Sequence, residues 1–200
     1  MMSDNKFSRS VLGAASVLAA GALIGGMSGC VPLIVGGAMA TAVVMTEDRR
    51  STGTFVDDES IENRATLNVK NKFGAQVHVN ITSYNRRVLI SGEAISESVK
   101  QGVETEVRAA GKSSEIYNEM VVGPTAGVLS VSNDSRLTSV VKTRFLESRK
   151  FQSTHVKVIT EANTVFLMGI VTRAEAEAAS QIASTTSGVQ RVVRLFEYKD

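Results

Sequence analysis

Val165-Phe166-Leu167-Met168-Gly169 and, 77 residues earlier, Val88-Leu89-Ile90-Ser91-Gly92 are two copies of one short pattern, an apolar run closed by glycine. At the same offset Val79 meets Val156 and Ile81 meets Val158, each in a stretch where apolar and polar residues alternate. Alternation over such a length is the signature of a half-buried strand, so each copy reads as a hairpin. The chain contains an internal repeat.

Working outward from the hairpins, the flanking segments change to a period near four. In the first copy, Ile61, Ala65, Val69 and Phe73 form one helical stripe before Gly74. Asp57 and Asp58 suit the positive end of a helix, so the helix is predicted to start there. Tyr84-Asn85-Arg86 is the turn. Ser96 caps a second helix carrying Val99, Val103 and Val107, and Ile116 to Val122 is read as the last strand. In the second copy, Asn133 or Asp134 caps a helix with Leu137, Val141 and Phe145, and Asn163 turns the hairpin. Thr172 caps a helix through Ala176, Ala179 and Ala183, and Val189 to Tyr198 closes the repeat. The predicted fold is α+β, with the order helix, strand, strand, helix, strand occurring twice. Each unit has a small three-stranded sheet packed by two helices.

The N-terminal part is of another kind. Lys6 and Arg9 precede an uncharged stretch, Val11 to Met27, which has the layout of a secretory signal. It ends in Met27-Ser28-Gly29-Cys30, and Cys30 is the one cysteine of the 200 residues. That ending resembles the lipobox of bacterial lipoproteins, in which the thiol receives diacylglycerol and the cysteine becomes an N-acylated mature N-terminus. Met27 stands where Leu is usual. A membrane span between Val11 and Met45 is the competing reading, opposed by the glycines and by Pro32. Val31, rather than Asp, follows the cysteine, and by resemblance to enterobacterial sorting this directs the protein to the outer membrane. The expected organisation is a signal peptide over 1–29, a lipidated tether over 30–54, domains over 55–122 and 131–200, and a linker over 123–130.

Net charge is +2, which gives no general case for nucleic acid as a partner. The halves differ, however. Residues 55–122 hold 8 Lys plus Arg against 10 Asp plus Glu, whereas residues 130–200 hold 10 against 7. The second domain is the better candidate for an anionic surface.

No enzyme constellation emerges. His78 and His155 take equivalent places, each expected to face away from its own core, and two imidazoles without further ligands do not make a catalytic zinc site. Glu104 with Glu106, and Glu175 with Glu177, point to different helix faces at a spacing of two. No metal or dissociable cofactor is expected, and a binding module is favoured over a catalyst.

The repeat resembles the BON domain. The resemblance is carried by Val165-Phe166-Leu167-Met168-Gly169, Ile182-Ala183, Ser187-Gly188-Val189 and Val192-Val193, and further by Val56-Asp57-Asp58, Ile116-Tyr117-Asn118-Glu119 and Ser132-Asn133-Asp134. With the lipobox, the chain is similar to the dual BON-domain outer-membrane lipoproteins. This implies a protein anchored on the periplasmic face of the outer membrane that supports envelope integrity and gathers at division sites. It also implies binding of anionic phospholipids, such as phosphatidylglycerol and cardiolipin, by the second domain. The resemblance puts a lipid-inserting Trp where this chain has Arg136, and the chain has no Trp. Attachment is therefore expected to rest on charge. Lys142, Arg144, Arg149 and Lys150 crowd the same segment as Arg136, and each basic side chain at an anionic surface contributes about 1 kcal/mol. At 100° per residue, Leu137, Val141 and Phe145 share the core face, leaving Val140 and Leu146 as apolar contacts among the basic residues. The expected lipid surface is Arg136, Val140, Lys142, Arg144, Leu146 and Lys150. An adaptor that binds another envelope protein or peptidoglycan is the alternative.

Overall fold

The computed structural model describes residues 48–124 and 128–199, with side chains described outside 125–131. Cys30, the signal segment and most of the tether lie outside the described residues. The first domain runs α1 (Thr52–Phe73), a 3-10 turn (Gly74–Gln76), β1 (Val77–Tyr84), β2 (Arg87–Ala94), α2 (Glu97–Ala110), β3 (Glu115–Asn118) and β4 (Val121–Val122). The second runs α3 (Val128–Ser148), a 3-10 turn (Ser153–His155), β5 (Lys157–Glu161), β6 (Thr164–Val171), α4 (Arg173–Ser184) and β7 (Arg191–Tyr198). The repeated α+β order is as expected.

In each domain the second hairpin strand is central. β2 pairs antiparallel with β1 and parallel with β3 and β4, while β6 lies between β5 and β7 in the same sense. One face of each sheet receives the helices. Ile61, Ala65 and Val69 of α1 and Val103 and Val107 of α2 close over Ile81, Val88 and Ile90. Val141 and Phe145 of α3 and Ala176, Ala179 and Ala183 of α4 close over Val158, Val165 and Leu167. Ser96 and Thr172 cap their helices as predicted, and Thr172 does so in a reciprocal capping box with Glu175. The closing glycines stand where the backbone at or just before the first hairpin strand comes close. A Cβ on Gly92 would meet the His78 carbonyl oxygen at 2.0 Å, and one on Gly169 would meet that of His155 at 2.3 Å.

Some element bounds differ from those predicted. α1 begins at Thr52 behind Ser51, whose hydroxyl accepts the Thr54 amide, so part of the supposed linker is helix. α3 begins at Val128, which leaves Asn133 and Asp134 inside the helix instead of capping it. Asp58 and Asp134 are buried, and each serves the hairpin turn of its own domain. Asp58 accepts from the amides of Asn85 and Arg86 and from the Ser83 hydroxyl at 2.6–2.8 Å. Asp134 accepts from the amides of Ala162 and Asn163 at 2.9 and 3.0 Å. All four turn residues have positive φ, the conformation that matches the twist of a two-residue hairpin. The carboxylates hold that geometry without glycine. Finally, the strand predicted over 116–122 is split, because Met120 turns into the first core.

A third core joins the two domains. Tyr84 and Leu89 of the first sheet pack with Ile159, Phe166, Met168 and Leu195 of the second, flanked by Tyr117, Ile170 and Val193. These side chains alternate along the strands with those of the two helix-facing cores. β2 and β6 are thus buried on both faces, which is why they read as unbroken apolar runs. Each large side chain so buried contributes about 1.5–3 kcal/mol. Polar contacts border the core: Lys157 Nζ lies 3.0 Å from Glu62, Asn85 Nδ2 donates to Glu197 at 2.6 Å, and Arg87 donates to the Phe196 carbonyl at 2.7 Å.

Candidate functional site

The spacing of Leu137, Val141 and Phe145 fixes how α3 lies. All three are buried at 1 % exposure or less, so the opposite side of the helix faces solvent. The six residues expected to contact lipid then divide between two flanks.

Lys142 and Leu146 lie one turn apart on the open side, and Leu146 is 65 % exposed, more than any other large apolar residue described. The helix ends at Ser148, and Arg149 turns the chain with φ 51°. Phe151 then folds back edge-on against Phe145, with ring centroids 5.0 Å apart. This return holds Arg149 and Lys150 exposed just past the C-terminal end of α3, where the helix dipole favours cations. Lys150 therefore belongs to the turn and not, as predicted, to the helix. Lys142, Leu146, Arg149 and Lys150 are all exposed, as is Glu147 next to Leu146.

The other flank faces α4. Arg144 donates to the Ile182 carbonyl at 2.8 Å and to the hydroxyls of Thr185 and Thr186. Its guanidinium thus satisfies the carboxyl end of α4, a structural task that the sequence did not reveal. Val140 is half-buried beside it. Arg136 is exposed, with one hydrogen bond of 3.3 Å to Asn133 on its own helix.

The structure also brings together groups that sequence reasoning kept apart. Arg49 and Arg50, read as linker, are locked in place. Arg50 bonds both Asp48 and Asp58 and stacks on the Tyr84 ring at 4.2 Å. Arg49 reaches Glu175 and the Ile170 carbonyl of the second domain. The bidentate hydrogen bond from Arg49 holds the Glu175 carboxyl well below the usual range, at about 2. His155 lies in the 3-10 turn before β5, not in a strand, and its Nδ1 is 3.8 Å from the same carboxylate. His78 does lie on β1 facing away from its own core, where it meets Glu93 and Glu161.

The polar, partly basic face of α3 thus lies outward from the second domain, whose sheet shares a core with the first. Among the described residues no helix is long and apolar enough to cross a membrane. The BON-domain family profile matches residues 61–124 and 133–200. The chain therefore belongs to the BON family and carries two copies of the domain.

Its relatives narrow this further. It is 39 % identical over 176 residues to the outer membrane lipoprotein DolP of Haemophilus influenzae, covering 87 % of this chain and 91 % of that one. It is 36 % identical over 153 residues to a protein named 21 kDa hemolysin from Actinobacillus pleuropneumoniae, covering 76 % and 79 %. The kinship is thus with the dual BON-domain outer-membrane lipoproteins, and neither relative bears the name of an enzyme. Among solved structures, CdsD, a structural protein of the type III secretion system of Chlamydia trachomatis, aligns over 70 % of this chain at 11 % identity and a TM-score of 0.29, too distant to inform function.

Proposed function

We propose that this outer-membrane lipoprotein is anchored through acylated Cys30 on the periplasmic face and binds anionic phospholipids with the α3 face of its second domain. The observation that carries the reading is the position of Leu146, 65 % exposed among Lys142, Arg149 and Lys150 on a helix whose other face is core. An exposed apolar side chain with cations one turn to either side suits the boundary between headgroups and acyl chains. Arg136 extends the basic surface along the helix. Val140 supports the second flank, and Arg144 acts chiefly by fixing α4 against α3. With Arg136 at the position of the aromatic, charge provides most of the attraction, and phosphatidylglycerol and cardiolipin are the expected ligands. By its kinship with the dual BON-domain lipoproteins, the protein would also support envelope integrity and gather at division sites.

The test is flotation of residues 46–200, which hold both domains without the acylated cysteine, with phosphatidylglycerol or cardiolipin vesicles, against neutral ones, at rising salt. Binding that is specific to anionic vesicles and weakens with salt supports the reading, because screening acts on exposed charges. Equal flotation with neutral vesicles in the presence of salt would remove it.

One observation favours the adaptor reading. Ile95, Val121 and Val122 of the first domain are 53 %, 57 % and 45 % exposed at one end of the sheet, where Ala94 pairs with Val122. Such a patch suits an envelope-protein partner or peptidoglycan, and crosslinking there with unchanged lipid binding would assign the two roles to separate domains.

A further inference from the structure

Strand alternation sends one set of side chains from each sheet away from its helices and into the interface between the domains. On β1 this set includes His78 and Asn80, on β2 Leu89, Ser91 and Glu93, and on β5 Ile159 and Glu161. His78 and Glu93 are direct partners in the hairpin register, and Nδ1 of the imidazole lies 3.1 Å from the Glu93 carboxylate. Glu161 approaches from the second domain to 4.0 Å from the same nitrogen. Ligand atoms of all three lie within 4.8 Å of one another.

The surroundings are unusual for two carboxylates. Both glutamate side chains are only 12 % exposed. The hydroxyl of Ser91, a residue 1 % exposed, lies on the same face beside Glu161 without a hydrogen bond of full geometry. The internal repeat supplies a comparison. At the offset of 77, His78 corresponds to His155, Glu93 to Ile170 and Tyr84 to Glu161. At the end of the interface where His155, Ile170 and Tyr84 lie, positive charge fills the site: Arg49 donates to the Ile170 carbonyl at 2.7 Å and Arg50 stacks on Tyr84. The opposite end replaces Ile170 and Tyr84 by two carboxylates beside the imidazole.

We propose that His78, Glu93 and Glu161 bind a divalent transition cation of the zinc class, which clamps the two BON domains together. An imidazole nitrogen with two carboxylate oxygens is a donor set that zinc accepts, with water completing the shell. Bonds of about 2.0–2.2 Å place two ligands of one ion no more than about 4.2 Å apart. The two distances from His78 meet that limit, and the widest separation closes by small side-chain rotations. Magnesium and calcium are disfavoured because they seek six or more oxygen ligands. A cleft of about 530 Å³ lined by His78, Asn80, Asp134, Thr138 and Glu161 gives the ion and its water access. The role is structural, since the ligands come from both domains.

The experiment is calorimetric titration of the detergent-solubilised full chain with zinc chloride, and in parallel with magnesium chloride, together with thermal unfolding. One zinc per chain is expected. His78→Ala, which alters a partly exposed side chain, is expected to weaken binding at least about tenfold, as is Glu161→Gln, whereas His155→Gln preserves it. Zinc is also expected to raise the unfolding midpoint of the parent chain and not that of His78→Ala. No zinc binding, equal binding of magnesium, or zinc binding unchanged in His78→Ala would each overturn the proposal. If Glu161→Gln does not fold, Glu93→Gln decides in its place by the same two readings.

Discussion

Arg49 grips Glu175 with two parallel hydrogen bonds of 2.7 and 2.8 Å, joining the segment before the first domain to the capping box of the second domain's last helix. Because Glu175 is held at about 2 when folded, against 4.5 ordinarily, its contribution is fully present above the ordinary value and is lost as pH falls towards 2. Arg49→Gln is expected to cost about 2 kcal/mol at pH 7, the scale of a hydrogen bond to a charged group. It should also flatten the fall in unfolding midpoint between pH 5 and pH 2. A parallel fall in the parent chain and Arg49→Gln, followed by circular dichroism, would show that the pair carries no acid sensitivity.

Asp58 and Asp134 predict a graded result. Asp58→Ala strips a buried site of its partners to two amides, one hydroxyl and the Arg50 guanidinium, and is expected to cost about 3–5 kcal/mol. Asp134→Ala leaves two amides unmatched and is expected to cost about 2 kcal/mol. Urea denaturation measures both, and an Asp58→Ala cost below that of Asp134→Ala would contradict the assignment.

The shared core predicts cooperativity between domains. Phe166→Ser alters a side chain that faces the first domain, 2 % exposed, with Tyr84 and Leu89 in the same cluster. The parent chain is expected to unfold in one urea transition, and Phe166→Ser in two, with a loss of about 3 kcal/mol from the interface. Two transitions already present in the parent chain would mean that the sheets do not stabilise each other. For the same reason, an isolated domain exposes Leu89 or Phe166 and Met168, so binding experiments belong on the two domains together.

Cys30→Ala is expected to abolish incorporation of a fatty-acid probe in growing cells. Continued labelling would exclude the lipobox reading.

Much of the architecture was legible because period and punctuation agree. Gly92 and Gly169, at equal offsets, disclosed the repeat, and Ser96 and Thr172 marked true helix starts. What escaped detection was tertiary. Asp58 and Asp134 carry the composition of helix starts, yet burial turns them towards the hairpins, a choice that no local pattern expresses. Leu89, Phe166 and Met168 were visible as unbroken apolar runs, and the second buried face follows from that alone, but not what covers it. Arg144 resembles Lys142 in sequence and differs only because α4 ends beside it. His78 could meet Glu161 only after the domains had docked.

If α3 of the second domain is the lipid surface and charge carries the attachment, reversing its exposed charges removes the binding. The most direct test is flotation of residues 46–200, which leave out the acylated cysteine, bearing Arg136→Glu and Lys150→Glu, with phosphatidylglycerol vesicles, alongside Leu146→Ala. Both altered basic side chains are exposed, so the circular dichroism spectrum should remain native. Vesicle binding is expected to fall at least tenfold in the double variant, roughly the effect of losing two cations at about 1 kcal/mol each, and less in Leu146→Ala. A double variant that is folded and binds the vesicles as fully as the parent chain would contradict the account and move the lipid surface off α3.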